Sequence, residues 1–158
     1  MYFRRTRSQY VAGSGAGNRR AFQRIVRSGR EPGVIAYVDG KPAGWCAVEP
    51  RSAYATLARS RILAPVDEKP VWSIVCFFVK REHRERGLTR SLIEGAVAHA
   101  KKHGARVVEA YPVEPKKGRM PDVFAFTGLA SAFRKAGFRE IARRSETRPI
   151  LRRTLRGG

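Results

Sequence analysis

The sequence is poor in acidic residues, in cysteine and in long apolar runs. Of its 158 residues only 13 are Asp or Glu, against 33 Lys or Arg, so the formal net charge is +20. Two cysteines, Cys46 and Cys76, do not make a disulfide framework, and we expect both thiols to be buried. The longest mainly apolar stretch, residues 71–79, is far shorter than the roughly 20 residues that cross a bilayer. No apolar segment of a secretory signal follows the basic N-terminus. These absences predict a soluble, cytoplasmic protein that does not bind membranes.

Several ligand-binding patterns are absent as well. The sequence has neither the GxxxxGK[ST] spacing of a Walker P-loop nor the GxGxxG spacing of a dinucleotide fold, and no Cys/His cluster has zinc spacing. His83, His99 and His103 do not cluster with acids at a spacing that suits a metal. His99 and His103 lie one turn apart on a predicted helix, so we interpret these two as helix-surface residues and predict no metal site.

Basic charge is concentrated at both ends of the chain. The first thirty residues hold eight Arg and no acid, and residues 139–158 hold seven Arg against two Glu. Such ends attract phosphates, whether in nucleic acid, in phospholipid or in a phosphorylated cofactor. A solvated arginine-rich surface explains the same pattern, so the charge alone does not select a partner.

The apolar pattern predicts one α/β (α+β) domain over residues 1–158, with an incomplete, basic N-terminal region at 1–30. The dipeptide Asp39-Gly40 between two apolar runs predicts a hairpin. The predicted strands are 34–38, 43–48, 71–79, 106–113, 138–144 and 148–155. The predicted helices are 18–28, 53–61, 89–103 and 128–136, the last one N-capped by Thr127, and residues 114–122 are predicted as a polar loop. We expect residues 4–10 to be poorly ordered in a monomer.

The most informative segment joins the apolar strand at 71–79 to the amphipathic helix at 89–103. The connection reads Arg84-Glu85-Arg86-Gly87-Leu88-Thr89. The first N–H groups of a helix have no partner inside the helix, the helix dipole adds partial positive charge, and Gly87 lets a ligand approach the backbone. This arrangement predicts a pyrophosphate site.

This segment resembles motif A of the GCN5-related N-acetyltransferases, the GNAT family, whose signature is Q/R-x-x-G-x-G/A. Arg84, Gly87 and Thr89 occupy the three signature positions, and Thr89 departs from the usual Gly or Ala. The hairpin, the strand at 106–113 and the sequence SAFRKAGF at 131–138 extend the resemblance to about residues 33–155. It implies a GNAT-like acyltransferase fold, in which helices flank a central mixed, mostly antiparallel sheet. The family's first strand has no counterpart, so we expect a remodelled sheet or a partner chain, as in a homodimer, to cover the exposed edge.

The resemblance further implies an acetyl-CoA-dependent N-acetyltransferase that transfers an acetyl group to a primary amine by direct attack on the thioester. The end of the strand at 71–79 would then offer backbone groups to the pantetheine arm and the acetyl carbonyl. The implied cofactor-binding residues are Phe77, Phe78, Val79, Arg84, Glu85, Arg86, Gly87, Leu88, Thr89 and Arg90.

The expected general acid is missing. The family usually has a tyrosine four residues before the Gly-Phe pair of its last helix, and this chain has Phe133 there. A proton for the leaving thiolate must come from another group or from water. Tyr111, Ser131 and Thr127 are the candidate substitutes.

Two carboxylates are candidates for the base, because a carboxylate on a mainly apolar strand is costly to bury unless it is paired or used. Glu109 is the first candidate and Glu49 the second, although pairing with an arginine would explain either. Trp45 and Trp72 could line an acceptor pocket, but we favour core packing as the explanation of both.

The sequence alone does not identify the acceptor. Small amines are one class, but many are cations, which a protein of this charge repels. Aminoacyl-tRNA, which some family members acetylate, is a second class and would make binding depend on salt. The alternative to an enzyme is a non-catalytic module of the same fold that binds nucleic acid or protein through its basic ends, an interpretation that Phe133 favours.

Overall fold

A computed structural model describes residues 1–116 and 126–155. The strands are β1 (Gly33–Val38), β2 (Lys41–Pro50), β3 (Trp72–Val79), β4 (Val107–Ala110), β5 (Arg139–Arg143) and β6 (Pro149–Thr154). The helices are α1 (Arg7–Ala12), α2 (Ala16–Arg27), α3 (Ala55–Arg59), α4 (Leu88–Lys102) and α5 (Ala130–Lys135). The strands form one sheet in the order β1-β2-β3-β4-β6-β5. Of the five pairs of neighbouring strands in the described part of the sheet, four are antiparallel and one, β3 with β4, is parallel, so the predicted mixed, mostly antiparallel sheet is confirmed.

The predicted hairpin joins β1 to β2. Asp39 and Gly40 both have positive φ, at 49° and 71°. Two consecutive residues with positive φ give the turn a twist that matches the twist of the flanking strands, and Asp and Gly tolerate this conformation best. The local sequence therefore determines this part of the sheet.

Two apolar clusters lie on opposite faces of the sheet. On one face α4 packs the stripe Leu92, Ile93, Ala96, Val97 and Ala100, as its periodicity predicts. The other face is covered by the N-terminal region and α3. Its buried members are Phe3, Ala47, Tyr54, Leu57, Leu63, Val75, Tyr111 and Ile150.

The N-terminal region differs from the sequence prediction. Instead of a poorly ordered segment at 4–10, the structure has α1, which begins in a capping box formed by Thr6 and Gln9. The structure has helices α1 and α2 and no strand among the described residues before β1, in agreement with the expected absence of the family's first strand. Strand β1 is consequently an edge of the sheet, and its Ile35 and Tyr37 side chains are exposed. Covering of this edge by a second copy of the chain stays a prediction.

The region after β4 also departs from the prediction. Strand β4 ends at Ala110 rather than at residue 113. Helix α5 begins after Leu129, which has no side-chain cap, so Thr127 is not the N-cap. Gly128 has a φ of 82°, which is incompatible with a helix that starts there. Of the predicted polar loop at 114–122, residues 117–122 lie outside the described residues.

Within residues 1–116 and 126–155, none of the helices combines the length and the apolar character that spanning a membrane requires.

Candidate active site

The predicted phosphate loop ends at the first turn of α4. Gly87 precedes this helix with a φ of 78°, in the left-handed region that favours glycine. A Cβ placed on Gly87 would meet no described atom within 4 Å, so the space before the helix is open. Gly87 has no side chain to cap the helix, so the N–H groups of Leu88 and Thr89 have no partner within the helix or from its N-cap residue.

Arginines surround this helix end. Arg84, Arg86 and Arg90 are all exposed. The Nε of Arg84 donates a hydrogen bond of 3.1 Å to the carbonyl oxygen of Val79, which fixes the loop to the end of β3. Backbone donors and a helix dipole thus lie next to three exposed arginines in the sequence, a combination that would stabilise a phosphate group.

Strands β3 and β4 separate beyond the pair Ile74 and Ala110. Part of the gap is filled by the segment that follows the undescribed residues. The Phe77 N–H donates to the Phe126 carbonyl at 2.7 Å, and the Val113 N–H donates to the Gly128 carbonyl at 2.9 Å. Of the predicted cofactor residues on β3, Phe77 is therefore in the core and bonded to this segment, Phe78 is exposed, and Val79 is half-buried.

A β-bulge in β3 turns two consecutive side chains to the same face of the sheet. Ala47 pairs with Cys76 and Val48 pairs with Ile74, so Val75 is the extra residue. As a result Val75 and Cys76 both face away from α4. Cys76 is half-buried rather than buried as expected, and Cys46 is fully buried.

On this second face the bulge borders a cavity of about 420 Å³. Its walls come from the N-terminal region, β2, β3 and the segment before α5. The lining residues are Met1, Tyr2, Phe3, Arg4, Tyr10, Phe22, Trp45, Ala47, Tyr54, Val75, Cys76 and Phe126. Seven of these twelve side chains are aromatic and none is acidic, so the cavity suits an apolar group better than a free cation.

Tyr54 is a polar lining residue that sequence reasoning missed. Its side chain is 1% exposed, and no described residue forms a hydrogen bond with its hydroxyl oxygen. Burial raises the pKa of Tyr54 well above its usual value, so the hydroxyl stays protonated and can donate a hydrogen bond. Tyr54 lies after a short 3-10 turn at the end of β2, in no recognisable motif, and only the folded chain reveals its position.

Glu49, one of the two predicted bases, does not line the cavity. It is 5% exposed and forms ion pairs with Arg4 and Arg30, the latter through hydrogen bonds of 2.6 and 3.0 Å. Arg4 also lies over the Tyr54 ring, with its guanidinium carbon 4.7 Å from the ring centre. The geometry therefore gives Glu49 a clear structural role, in which it holds Arg4 in the cavity wall.

Glu109 and Tyr111 belong to a buried polar network. The Tyr111 hydroxyl donates to Glu109 at 2.8 Å, lies 2.9 Å from the Ser73 hydroxyl, and accepts from Arg51 at 2.6 Å. Arg152 holds the other carboxylate oxygen of Glu109, with its Nε at 3.0 Å. Both residues are almost inaccessible to solvent, at 2% and 0% exposure, and neither lines the cavity. Their partners account for their burial.

The position of the missing general acid is also buried. Phe133 is fully buried and packs edge-on against Phe77 and Phe138, with ring centres at 5.8 and 5.1 Å. Thr127 is buried and accepts a hydrogen bond of 3.1 Å from Arg148, and Ser131 is exposed. None of these three lines the cavity.

The two predicted pocket tryptophans have different surroundings. Trp45 lines the cavity and packs edge-on against Phe22 of α2. Trp72 lies at the other end of the sheet, beside the rings of His99 and His103. The fold brings Glu31 within 4 Å of both histidines, a contact that the spacing in the sequence does not indicate. Burial and the neighbouring His103 lower the pKa of His99.

Comparison with known proteins agrees with this geometry. The sequence matches the model of the acetyltransferase (GNAT) family over residues 3–119. No curated protein sequence matches the chain. Solved structures share its fold at low identity. A GNAT-family acetyltransferase from Streptococcus agalactiae is 13% identical, with a TM-score of 0.58, over 95% of this chain and 79% of that one.

Two further structures are similar. A ribosomal-protein-alanine N-acetyltransferase from Brucella melitensis is 15% identical, with a TM-score of 0.53, over 87% of this chain and 76% of that chain. A chain of the NatC complex bound to Gag peptide and CoA is 11% identical, with a TM-score of 0.53, over 87% and 79%.

The sheet, its gap between two parallel strands and the open helix end at Gly87 thus define an acyltransferase fold. The chain belongs to the GNAT acetyltransferase family and is a GNAT-family N-acetyltransferase. The family uses acetyl-CoA as its acetyl donor.

Proposed function

We propose that this protein transfers the acetyl group of acetyl-CoA to a primary amine that is bound in the aromatic cavity. The main support for the proposal is that β3 lies between the open end of α4 and the aromatic cavity. The open end of α4 follows one end of this strand, and the cavity borders its bulge on the opposite face of the sheet. A donor on the α4 side and an acceptor on the cavity side would therefore meet at residues 75–79.

The residues present fit the phosphate end of acetyl-CoA. Leu88 and Thr89 would donate backbone hydrogen bonds to the pyrophosphate, Gly87 would allow its close approach, and Arg84, Arg86 and Arg90 would supply charge. The fit of the pantetheine arm is tighter, because the Phe126 carbonyl already accepts the Phe77 N–H. The arm would either lie beside the segment at 126–129 or displace it.

The reaction needs a neutral amine whose nitrogen attacks the thioester carbonyl. A C–N bond forms, the C–S bond breaks, and one proton moves from the amine to solvent while the thiolate of CoA gains one. We assign the Tyr54 hydroxyl to hydrogen bonding with the reacting groups, because it is buried, protonated and without a described partner. Glu49 and Glu109 remain candidate bases acting through other groups or water, and the variants described below test Glu109.

The lining of the cavity favours an acceptor with an apolar or aromatic body. No carboxylate is present in the described walls, and Arg4 is paired with Glu49. A polyamine would therefore have no counter-charge there, whereas an arylalkylamine would bury its ring against side chains such as Trp45 and Phe22.

A second acceptor class is an amine linked to phosphates, as in aminoacyl-tRNA. Helix α2 supplies Phe22 to the cavity and exposes four arginines, which are Arg19, Arg20, Arg24 and Arg27. These would attract a polyanion whose amine end enters the cavity, and binding would weaken steeply as salt increases.

The first experiment is a thermal-shift titration with acetyl-CoA. Selective binding stabilises the folded state by about 2.7 kcal/mol at a hundredfold excess over Kd. We expect this shift to be lost in Arg84→Ala and Gly87→Glu and retained in Arg59→Ala, which removes an exposed arginine from α3. Absence of a shift in the unmodified protein would contradict the donor site.

The second experiment measures CoA release with a panel of acceptors at low and moderate salt. Arylalkylamines are expected to react faster than polyamines of similar length. If polyamines react faster, the assignment of the cavity is wrong. If only aminoacyl-tRNA reacts, and does so in a salt-dependent way, the phosphate-linked class is the substrate.

A further inference from the structure

A cluster remote from the cavity combines two histidines with one carboxylate. His99 and His103 lie one turn apart in and just after the last turn of α4, and Glu31 precedes β1. The Glu31 Oε2 is 3.4 Å from the His103 Nε2 and 3.7 Å from the His99 Nδ1. If one possible ligand atom is taken from each of the three residues, these three atoms lie within 4.8 Å of one another.

The two distances from Glu31 are close to the edges of a zinc coordination shell. Zinc bonds of about 2.0–2.2 Å in a tetrahedron place neighbouring ligand atoms roughly 3.3–3.5 Å apart. Imidazole nitrogen and carboxylate oxygen are ligands that Zn²⁺ takes readily, and two histidines at positions i and i+4 of a helix present their rings to the same side.

The hydrogen bonding of His103 leaves its Nε2 available as a ligand. Its Nδ1 lies 2.9 Å from the backbone carbonyl of His99, which can only accept, so Nδ1 carries the hydrogen and Nε2 carries a lone pair in the neutral ring. In that form the lone pair lies 3.4 Å from the Glu31 Oε2. A proton or a metal ion between the two atoms would satisfy both, and a backbone carbonyl bound to the second nitrogen is typical of metal-ligating histidines.

The surroundings hold the two rings in place. The His99 and His103 ring centres are 4.4 Å apart, and the Trp72 ring lies 5.8 and 5.5 Å from them. The rings are therefore positioned before any ligand arrives. Glu31 is 60% exposed, so solvent reaches the cluster and a water molecule can complete the shell.

We propose that Glu31, His99 and His103 bind one Zn²⁺ ion, with water as the fourth ligand. The ion would join the end of α4 to the chain that enters β1. His99 is eleven residues beyond Leu88, which corresponds to about 16 Å along the helix from the open end of α4. The site is thus separate from the proposed acetyl transfer and does not depend on it.

The test is titration of the metal-free full chain, without an affinity tag, with Zn²⁺ by calorimetry and with Co²⁺ by visible absorption. The expected result is one equivalent of Zn²⁺ and the intense absorption of tetrahedral Co²⁺. Glu31→Gln and His103→Ala should each weaken Zn²⁺ binding at least tenfold, as loss of a ligand does. His83→Ala, which removes the remaining histidine, should bind as the unmodified protein does.

Several results would overturn the proposal. One is no heat or absorption change at millimolar metal, and another is Zn²⁺ affinity that survives Glu31→Gln. A third is equal loss in His83→Ala, which would indicate adventitious surface binding. Thermal unfolding in EDTA checks that the variants fold. Because Glu31 is exposed, we expect Glu31→Gln to fold normally. This variant therefore tests zinc binding even if His103→Ala is unstable.

Discussion

The backbone N–H of Phe77 donates a 2.7 Å hydrogen bond to the carbonyl oxygen of Phe126, across the gap between β3 and β4. A residue from the chain itself thus occupies part of the strand edge along which the acetyl donor is proposed to lie. Gly128 determines how closely this segment approaches, because a Cβ there would stand 2.8 Å from the Phe133 ring and 3.1 Å from the Phe77 ring.

Gly128→Ala is therefore expected to destabilise the protein. The methyl group would clash with two core rings, and the φ of 82° adds about 1–2 kcal/mol of backbone strain. We expect a loss of about 2–4 kcal/mol in the free energy of unfolding, measured in urea. Gly95→Ala is the matched control, since its nearest atom is 3.8 Å away and it lies inside α4. That change should stabilise by about 0.5–1 kcal/mol, and equal effects of the two changes would contradict the packing described.

Tyr54→Phe tests the buried hydroxyl of this lining residue. Because no described residue bonds with this hydroxyl, its removal should leave the unfolding free energy within about 0.5 kcal/mol. Loss of a hydrogen bond to the reacting groups should lower kcat about 10²-fold or more, with KM little changed. An unchanged kcat in Tyr54→Phe would show that the Tyr54 hydroxyl takes no part in the reaction.

Glu109→Gln separates a structural role from a catalytic one. Removing the charge breaks a buried pair with Arg152 and should cost about 3–5 kcal/mol of stability. If the role is structural, kcat of the folded variant stays within a few-fold of normal. A base would instead show a kcat loss of about 10² or more and a changed acid limb of the pH profile. Glu94→Gln breaks an exposed pair with Arg153 and should cost less than about 1 kcal/mol.

Asp67 gives a pH-dependent contribution to stability. Hydrogen bonds from Arg152 lower the pKa of Asp67 from 3.8 to about 2. The folded state therefore favours the carboxylate, and this contribution is complete above 3.8 and is lost as the pH falls through about 2. The difference in unfolding free energy between the unmodified protein and Asp67→Asn should be constant near neutrality and shrink across that window. A difference that does not vary with pH would show that Asp67 and Arg152 are not coupled.

The sequence predicted what local periodicity and turn chemistry determine. The hairpin at Asp39 and Gly40, the apolar stripe of α4 and the glycine before that helix were all predictable, because each depends on neighbours within a few residues. The acetyltransferase family followed from the six residues 84–89 in their context.

Contacts between distant parts of the chain were not predictable. Glu31 and His99 are far apart in the sequence and lie close together in the fold. The segment at 126–129 fills a gap that exists only because β3 and β4 separate. Tyr54 lines the cavity because of the bulge in β3 and the packing of α3. The hydrophobic periodicity of a sequence gives no signal for such long-range contacts. Thr127 carried a valid capping signal, but its hydroxyl bonds with Arg148 instead.

Arg4 and Arg30 pair with the same carboxylate, that of Glu49. Both ends of the N-terminal stretch that contains α1 and α2 are thereby fastened to one point of the sheet. A segment held by ion pairs at both ends can change conformation between them while its ends stay attached to the sheet. Substitutions among the helical residues between these arginines would then reshape the cavity without releasing its wall, which makes that stretch the natural place to alter acceptor preference.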